Sequence, residues 1–260
     1  MITAPKTFEN LDEAFRWINR GFLINPNQFV EFQRGAQSFC EDLVLKVKEP
    51  TTSINLHEYA FNPTTKWSHL IKSYIDPETY YAFWEGVRTV TGTSYQFRFR
   101  NRKGRNGPCL IALVLTRDKS GEPWRRAKIL WRTAELQRKF AADLVLIHNF
   151  FREIPDDCKD MIELNHVTLY LAQAFQSWRL IGPLVENFCD WEEVDQSHDH
   201  GKKVFNNFEK VYKDPQPELK YAPVIRMQKH YKKVKQEGLP DSHPNDLSLA
   251  AEVEKIYRRK

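Results

Sequence analysis

Cys109 is the residue whose type and setting most suggest chemistry. It follows Pro108, opens the apolar run CLIALVLT, and stands 23 positions before Arg132, which follows the apolar run AKILW. If the two runs are neighbouring strands, a thiol and a guanidinium meet at one end of a hairpin. A thiol becomes a nucleophile when it ionises, and an adjacent cation favours that form. A guanidinium can also grip a phosphate through two parallel N–H bonds. Glu135 lies three residues past Arg132 and Asp143 eight past Glu135. Asp143 sits in an otherwise apolar stretch, where an unpaired carboxylate is costly, so it needs a structural partner or a ligand.

These residues need elements to hold them. The runs 93–100 (TSYQFRFR), 109–116 and 127–131 are separated by KGRNG and DKSGEPWRR, both rich in turn formers, and predict an antiparallel meander. Residues 136–151 (LQRKFAADLVLIHNFF) predict a buried helix packed on that sheet. Upstream, Leu11, Phe15, Ile18 and Phe22 recur at helical spacing behind Asn10 as N-cap, with Glu13 three residues on. Residues 42–48 read as a strand, and Thr51-Thr52-Ser53 offer a cap for a segment around 54–61. Downstream, 161–169 (MIELNHVTL) reads as a strand and turn leading into a helix over 171–180. Beyond Gly182-Pro183 the chain is charged and interrupted by prolines, with one short helical pattern at 247–257. This divides the chain into a domain over 1–189 and a basic accessory extension over 190–260.

At 260 residues and 41% apolar the chain can bury a substantial core and is not a disordered protein. No apolar run approaches the roughly 18 residues that span a bilayer, and the first residues lack the apolar core of a secretion signal. The expectation is a soluble cytoplasmic protein without a membrane partner. The four cysteines form no CxxC pair, which argues against a zinc ribbon or a disulfide framework. His198-Asp199-His200 lacks a third metal ligand at suitable spacing and reads as a solvated loop, so no metal is expected. Residues 201–260 carry 14 Lys/Arg against 8 Asp/Glu. That excess could contact nucleic acid, although such runs are usually a charged helix face.

Taken together, these features resemble the thymidylate synthase superfamily, most closely its cytidylate (dCMP) hydroxymethylase branch. Pro108-Cys109 resembles the family's nucleophilic Pro-Cys. Trp131-Arg132-Thr133-Ala134-Glu135 resembles its Arg-Ser-x-Asp motif. Asp143 stands at the offset where synthases carry the Asn that reads the pyrimidine and hydroxymethylases carry Asp. Gly35-Ala36-Gln37-Ser38-Phe39 resembles the N-terminal strand, Leu56-His57-Glu58 the segment that carries the catalytic Glu, and His166-Val167-Thr168 the His-x-Tyr sugar-binding motif. A shifted register of that last motif would use Tyr170. The likeness covers roughly residues 10–188. Three features depart from the pattern: no Arg-Arg pair precedes Cys109, leaving Arg88, Arg98 and Arg100 as phosphate candidates; Leu110 stands where synthases carry His; and Ala134 where hydroxymethylases carry Asn.

The resemblance implies an α/β (α+β) fold with a central mixed or antiparallel sheet flanked by helices, and a homodimer. It implies one-carbon transfer to C5 of a pyrimidine nucleoside monophosphate, most naturally a cytidylate, with 5,10-methylenetetrahydrofolate as donor. A thiolate of lowered pKa at Cys109 would add at C6 and push electron density to C5, with Glu58 relaying protons. Arg132 would bind the 5′-phosphate, Thr133 would join the substrate contacts, Asp143 would read the base, and His166, Thr168 or Tyr170 the sugar. The alternatives are a catalytically degenerate nucleotide- or nucleic-acid-binding protein, and a modifier of pyrimidines in polymeric nucleic acid.

Overall fold

The structure, a computed structural model, describes residues 5–29, 31–34, 37–59, 70–71, 74–99, 109–215, 222–238 and 248–258. Its frame is one mixed sheet of eight strands: β1 Lys6–Phe8, β2 Glu31–Arg34, β3 Gln37–Val47, β4 Ser94–Arg98, β5 Leu110–Thr116, β6 Trp124–Trp131, β7 Ala134–Glu135 and β8 Ile162–Ser177. The order across the sheet is β1-β3-β8-β6-β5-β4, with β2 added to β3 and β7 to β8. β4, β5 and β6 form the expected antiparallel meander, while β6 and β8 run parallel. The β5–β6 turn passes through Gly121 at φ +83°, a conformation that costs glycine nothing.

The strands alternate as a half-covered sheet requires. Trp124, Ala127, Ile129 and Trp131 of β6 and Val167, Leu169 and Leu171 of β8 are buried. Between them, Lys128, Leu130, Thr168 and Tyr170 are exposed or half-buried on the opposite face. The buried face is covered by α1 (Leu11–Ile24), α2 (Pro77–Thr89) and α3 (Lys139–Arg152). Asn10 caps α1 as its sequence predicts: its side chain accepts from Glu13 N–H, and Glu13 Oε2 accepts from Glu9 N–H, both at 3.0 Å. In α3, Phe140 through Ile147 are all buried. An aromatic cluster then ties α2 and α3 to β4, with Phe150 4.7 Å from Phe83 and 5.5 Å from Trp84 between ring centroids.

Two expectations are corrected. The helix expected over 171–180 is instead the second half of β8, a strand of 16 residues followed by one short helical turn at Trp178–Ile181. Leu171 and Ala174 fit either periodicity, and tertiary pairing decides: β8 is hydrogen-bonded to β3 on one side and to β6 and β7 on the other. His198-Asp199-His200 does not form a solvated loop, because α4 (Asp199–Asn207) begins there and buries His200. The 190–260 segment also shares the core. Val204, Val211 and Tyr212, Val224 and Met227 of α5 (Ala222–Glu237), and Leu249 and Val253 of α6 (Leu249–Arg258) all join the hydrophobic cluster that includes Phe15 and Phe140. No helix among the described residues is long and apolar enough to cross a membrane.

Candidate active site

The end of the β5–β6 hairpin fixes the first two groups. β5 and β6 pair at Leu110↔Trp131, and one step further out Arg132 N–H donates to the Cys109 carbonyl at 2.8 Å. The Arg132 side chain hydrogen-bonds the Cys109 sulfur, and Lys139, the first residue of α3, adds a second positive charge nearby. Cys109, Arg132 and Asp143 therefore converge from the end of β5, the end of β6 and the second turn of α3.

Asp143 is 3% exposed. Its Oδ2 accepts from Trp131 Nε1 at 3.1 Å, whereas its Oδ1 is buried with no hydrogen-bond partner. The Tyr74 hydroxyl lies against the same carboxyl and takes a backbone hydrogen bond from Leu110. Burial pushes the Asp143 pKa up to about 7, against the pull of Trp131, Tyr74 and Lys139. Glu135 adds to the rise; it is itself buried and held by Arg138 at 3.3 Å and Lys139 at 3.6 Å.

The lowered thiol pKa expected for Cys109 is not observed. Burial, then the Asp143 carboxylate, push it up, and Lys139 and Arg132 offset only part of this. The resting group is a protonated thiol, so ionisation needs either a base or a change in the charge on Asp143.

The pairing of β6 and β7 with β8 keeps one register from Arg126↔His166 through Trp131↔Leu171 to Glu135↔Phe175. Arg132 and Thr133 consequently lie level with Ala172 and Gln173. His166, level with Arg126, is six residues short of Arg132, or about 20 Å at the strand rise. Its pKa is lowered by burial and by the cations Lys46, Arg126 and Lys128. Thr168 is level with Lys128, and the Tyr170 hydroxyl is engaged by Asp42 at 2.5 Å. Asp42 itself sits at φ +52°, a conformation a non-glycine residue rarely adopts. It falls opposite Ala172, in the row that holds Cys109 and Arg132.

Glu58 is on the 3-10 turn Leu56–Tyr59 and lines a separate cavity of about 160 Å³ with His57, Asn187, His230 and Tyr231. Asn187 Nδ2 donates to the Glu58 carbonyl at 2.8 Å, and His230 Nε2 contacts the His57 carbonyl at 2.9 Å. Arg88 is engaged by Glu85 and Asp157 at the surface. Pro108, Gly35, Ala36 and Arg100 lie outside the described residues. Among the described residues no group of His, Cys, Asp and Glu is arranged to hold a metal.

Sequence reasoning missed Tyr74 and Lys139 as site residues, and Gln173 as the β8 residue level with the Arg132-Thr133 motif. The register of β8 against β6 would have found Gln173 once Arg126 was paired with His166. No known family's model matches this chain, and no curated protein matches it.

Proposed function

We propose that the chain activates C5 of a pyrimidine nucleotide by adding the Cys109 sulfur at C6, and that the base it takes is cytosine. The observation that carries this is the convergence of the thiol, the Arg132 guanidinium and a buried carboxyl with a free oxygen. Asp143 Oδ1, ionised, accepts from the exocyclic amine; protonated, it gives its proton to ring N3. A carboxyl titrating near neutrality reaches both states. Protonating N3 draws electron density from C6 and prepares it for attack. Once Asp143 has bonded the base, its negative charge no longer opposes the thiolate. The S–C6 bond then forms as the C5–C6 double bond shifts density to C5, which exchanges its hydrogen or takes an electrophile. Arg132 steadies the thiolate and is the nearest described guanidinium for the 5′-phosphate; Thr133 and Gln173 border the same row.

In this reading the one-carbon unit comes from 5,10-methylenetetrahydrofolate as a co-substrate. The cavity beside Glu58, at about 160 Å³, lies below the usual range of roughly 300–1,000 Å³ for ligand pockets, so the described residues give no fit for the donor. No step is routed through it. Glu58 remains the proposed proton relay. A homodimer, also part of this reading, would use the outer sheet face, where Val44, Val114 and Leu130 are half-buried. The direct test is proton NMR of dCMP in D2O: Cys109-dependent loss of the H5 signal supports the reading, and an unchanged H5 opposes it.

A second reading, a binding module without catalysis, is favoured by the raised thiol pKa and by the exposed Arg226, Lys229, Lys232 and Lys233 on α5. Oligonucleotide binding that weakens steeply with salt, without H5 exchange, would select it.

A further inference from the structure

At the opposite end of α3 from Asp143, a cavity of about 300 Å³ opens between that helix, the segment after β3 and the start of β8. Its apolar wall is Pro50, Phe151, Ile154, Ile162 and Leu164. All but Phe151 are only half-buried, so one hollow gathers apolar side chains the fold has not covered. The same wall carries three polar groups of complementary character. Arg152 supplies a cation, Glu49 an exposed carboxylate, and His148 an imidazole whose Nδ1 is buried without a hydrogen-bond partner. His148 is the one residue between Phe140 and Phe151 of α3 that is not buried, and it faces this hollow.

The charges decide what fits. Arg152 pairs with Glu153 at 3.0 Å, but Glu153 is also held by the N-terminus of α6, accepting from Leu249 N–H at 2.7 Å, Ala250 N–H at 3.2 Å and the Ser248 hydroxyl at 3.1 Å. Its negative charge is shared among four donors, which leaves Arg152 able to take a second anion. Glu49 makes no side-chain hydrogen bond or ion pair with a described residue. A nucleotide is a poor match, because its phosphates would meet Glu49, and the volume is at the lower end for ligand pockets.

We propose that this cavity is a binding site for a small zwitterion with an apolar side chain, a free amino acid of the phenylalanine or leucine type. The carboxylate would face Arg152, the ammonium would face Glu49, with His148 Nδ1 as an acceptor, and the side chain would lie against Phe151, Ile154 and Leu164. The proposal is independent of the chemistry at Cys109.

The test is calorimetric titration of the full chain with L-phenylalanine, L-leucine, 3-phenylpropionate and phenethylamine. The expected result is binding of at least one amino acid, weakened about tenfold or more when either charged group is missing, as the loss of one ion pair in a half-buried site implies. Arg152→Gln should weaken the amino acid and 3-phenylpropionate but not phenethylamine, and Glu49→Gln should do the converse. Leu164→Phe, which fills the hollow without touching the charges, should abolish binding of all. No binding of either amino acid overturns the proposal, as do equal affinities for all the phenyl probes or binding indifferent to both charge substitutions.

Discussion

Trp131 Nε1 donates to Asp143 Oδ2 at 3.1 Å and so ties the last residue of β6 to the second turn of α3. That bond sets the character of the site, because it engages one carboxyl oxygen and leaves Oδ1 buried, unpartnered and beside Cys109. It also places Arg132, the next residue along, at the thiol.

Asp143→Asn should remove a pH dependence from stability. The folded pKa of Asp143, about 7, is above the ordinary 3.8. The folded state therefore binds more protons between those values, and stability is lost as pH rises through about 7. The full shift corresponds to about 4 kcal/mol. Asn keeps an acceptor for Trp131 but has no charge to bury. Urea unfolding at pH 5 and at about pH 8 should show a larger drop in the wild type than in the variant; parallel drops would contradict the assignment. If Asp143 reads cytosine, the variant should also lose dCMP in favour of dUMP.

Tyr74→Phe removes a hydroxyl that lowers the Asp143 pKa. The Asp143 titration, followed by carboxyl carbon NMR, should move upward. Stability should fall by about 1–3 kcal/mol, since a buried partner is left unmade. A titration that stays in place would mean that the hydroxyl does not act on Asp143.

His200 works in the opposite sense on stability. Burial holds its pKa down to about 3 against the ordinary 6.5, so the unfolded chain binds the extra proton between those values and stability falls as pH drops through that window. The His200 ring resonances should show no midpoint between about pH 5 and 8, where an unperturbed histidine titrates. A midpoint near 6.5 would place the ring in water.

What could be read from the sequence follows the range of the interactions. The hairpin carrying Cys109 and Arg132 was legible because turn formers and β-rich runs are local signals. α1 was legible through its cap and its 3.6-residue spacing. The second half of β8 was not, because Leu171 and Ala174 satisfy helix and strand alike until β3 and β6 supply the hydrogen bonds. His166 was chosen for a motif, yet the register of β8 sets it beside Arg126 and brings Gln173 to the level of Thr133. Tyr74 belongs to no pattern; it reaches Asp143 only through the packing of distant segments. The thiol pKa also depends on burial and on the Asp143 carboxyl, neither of which the spacing of Cys109 and Arg132 conveys.

The most direct test of the central claim is release of tritium from C5-labelled dCMP by the wild type and by Cys109→Ala, with dUMP and methylenetetrahydrofolate as comparison arms. The account predicts release from dCMP that falls at least about 10³-fold in the variant, the scale on which loss of a nucleophile acts. Release that survives the substitution, or that is absent from the wild type on both nucleotides with and without the donor, would contradict it.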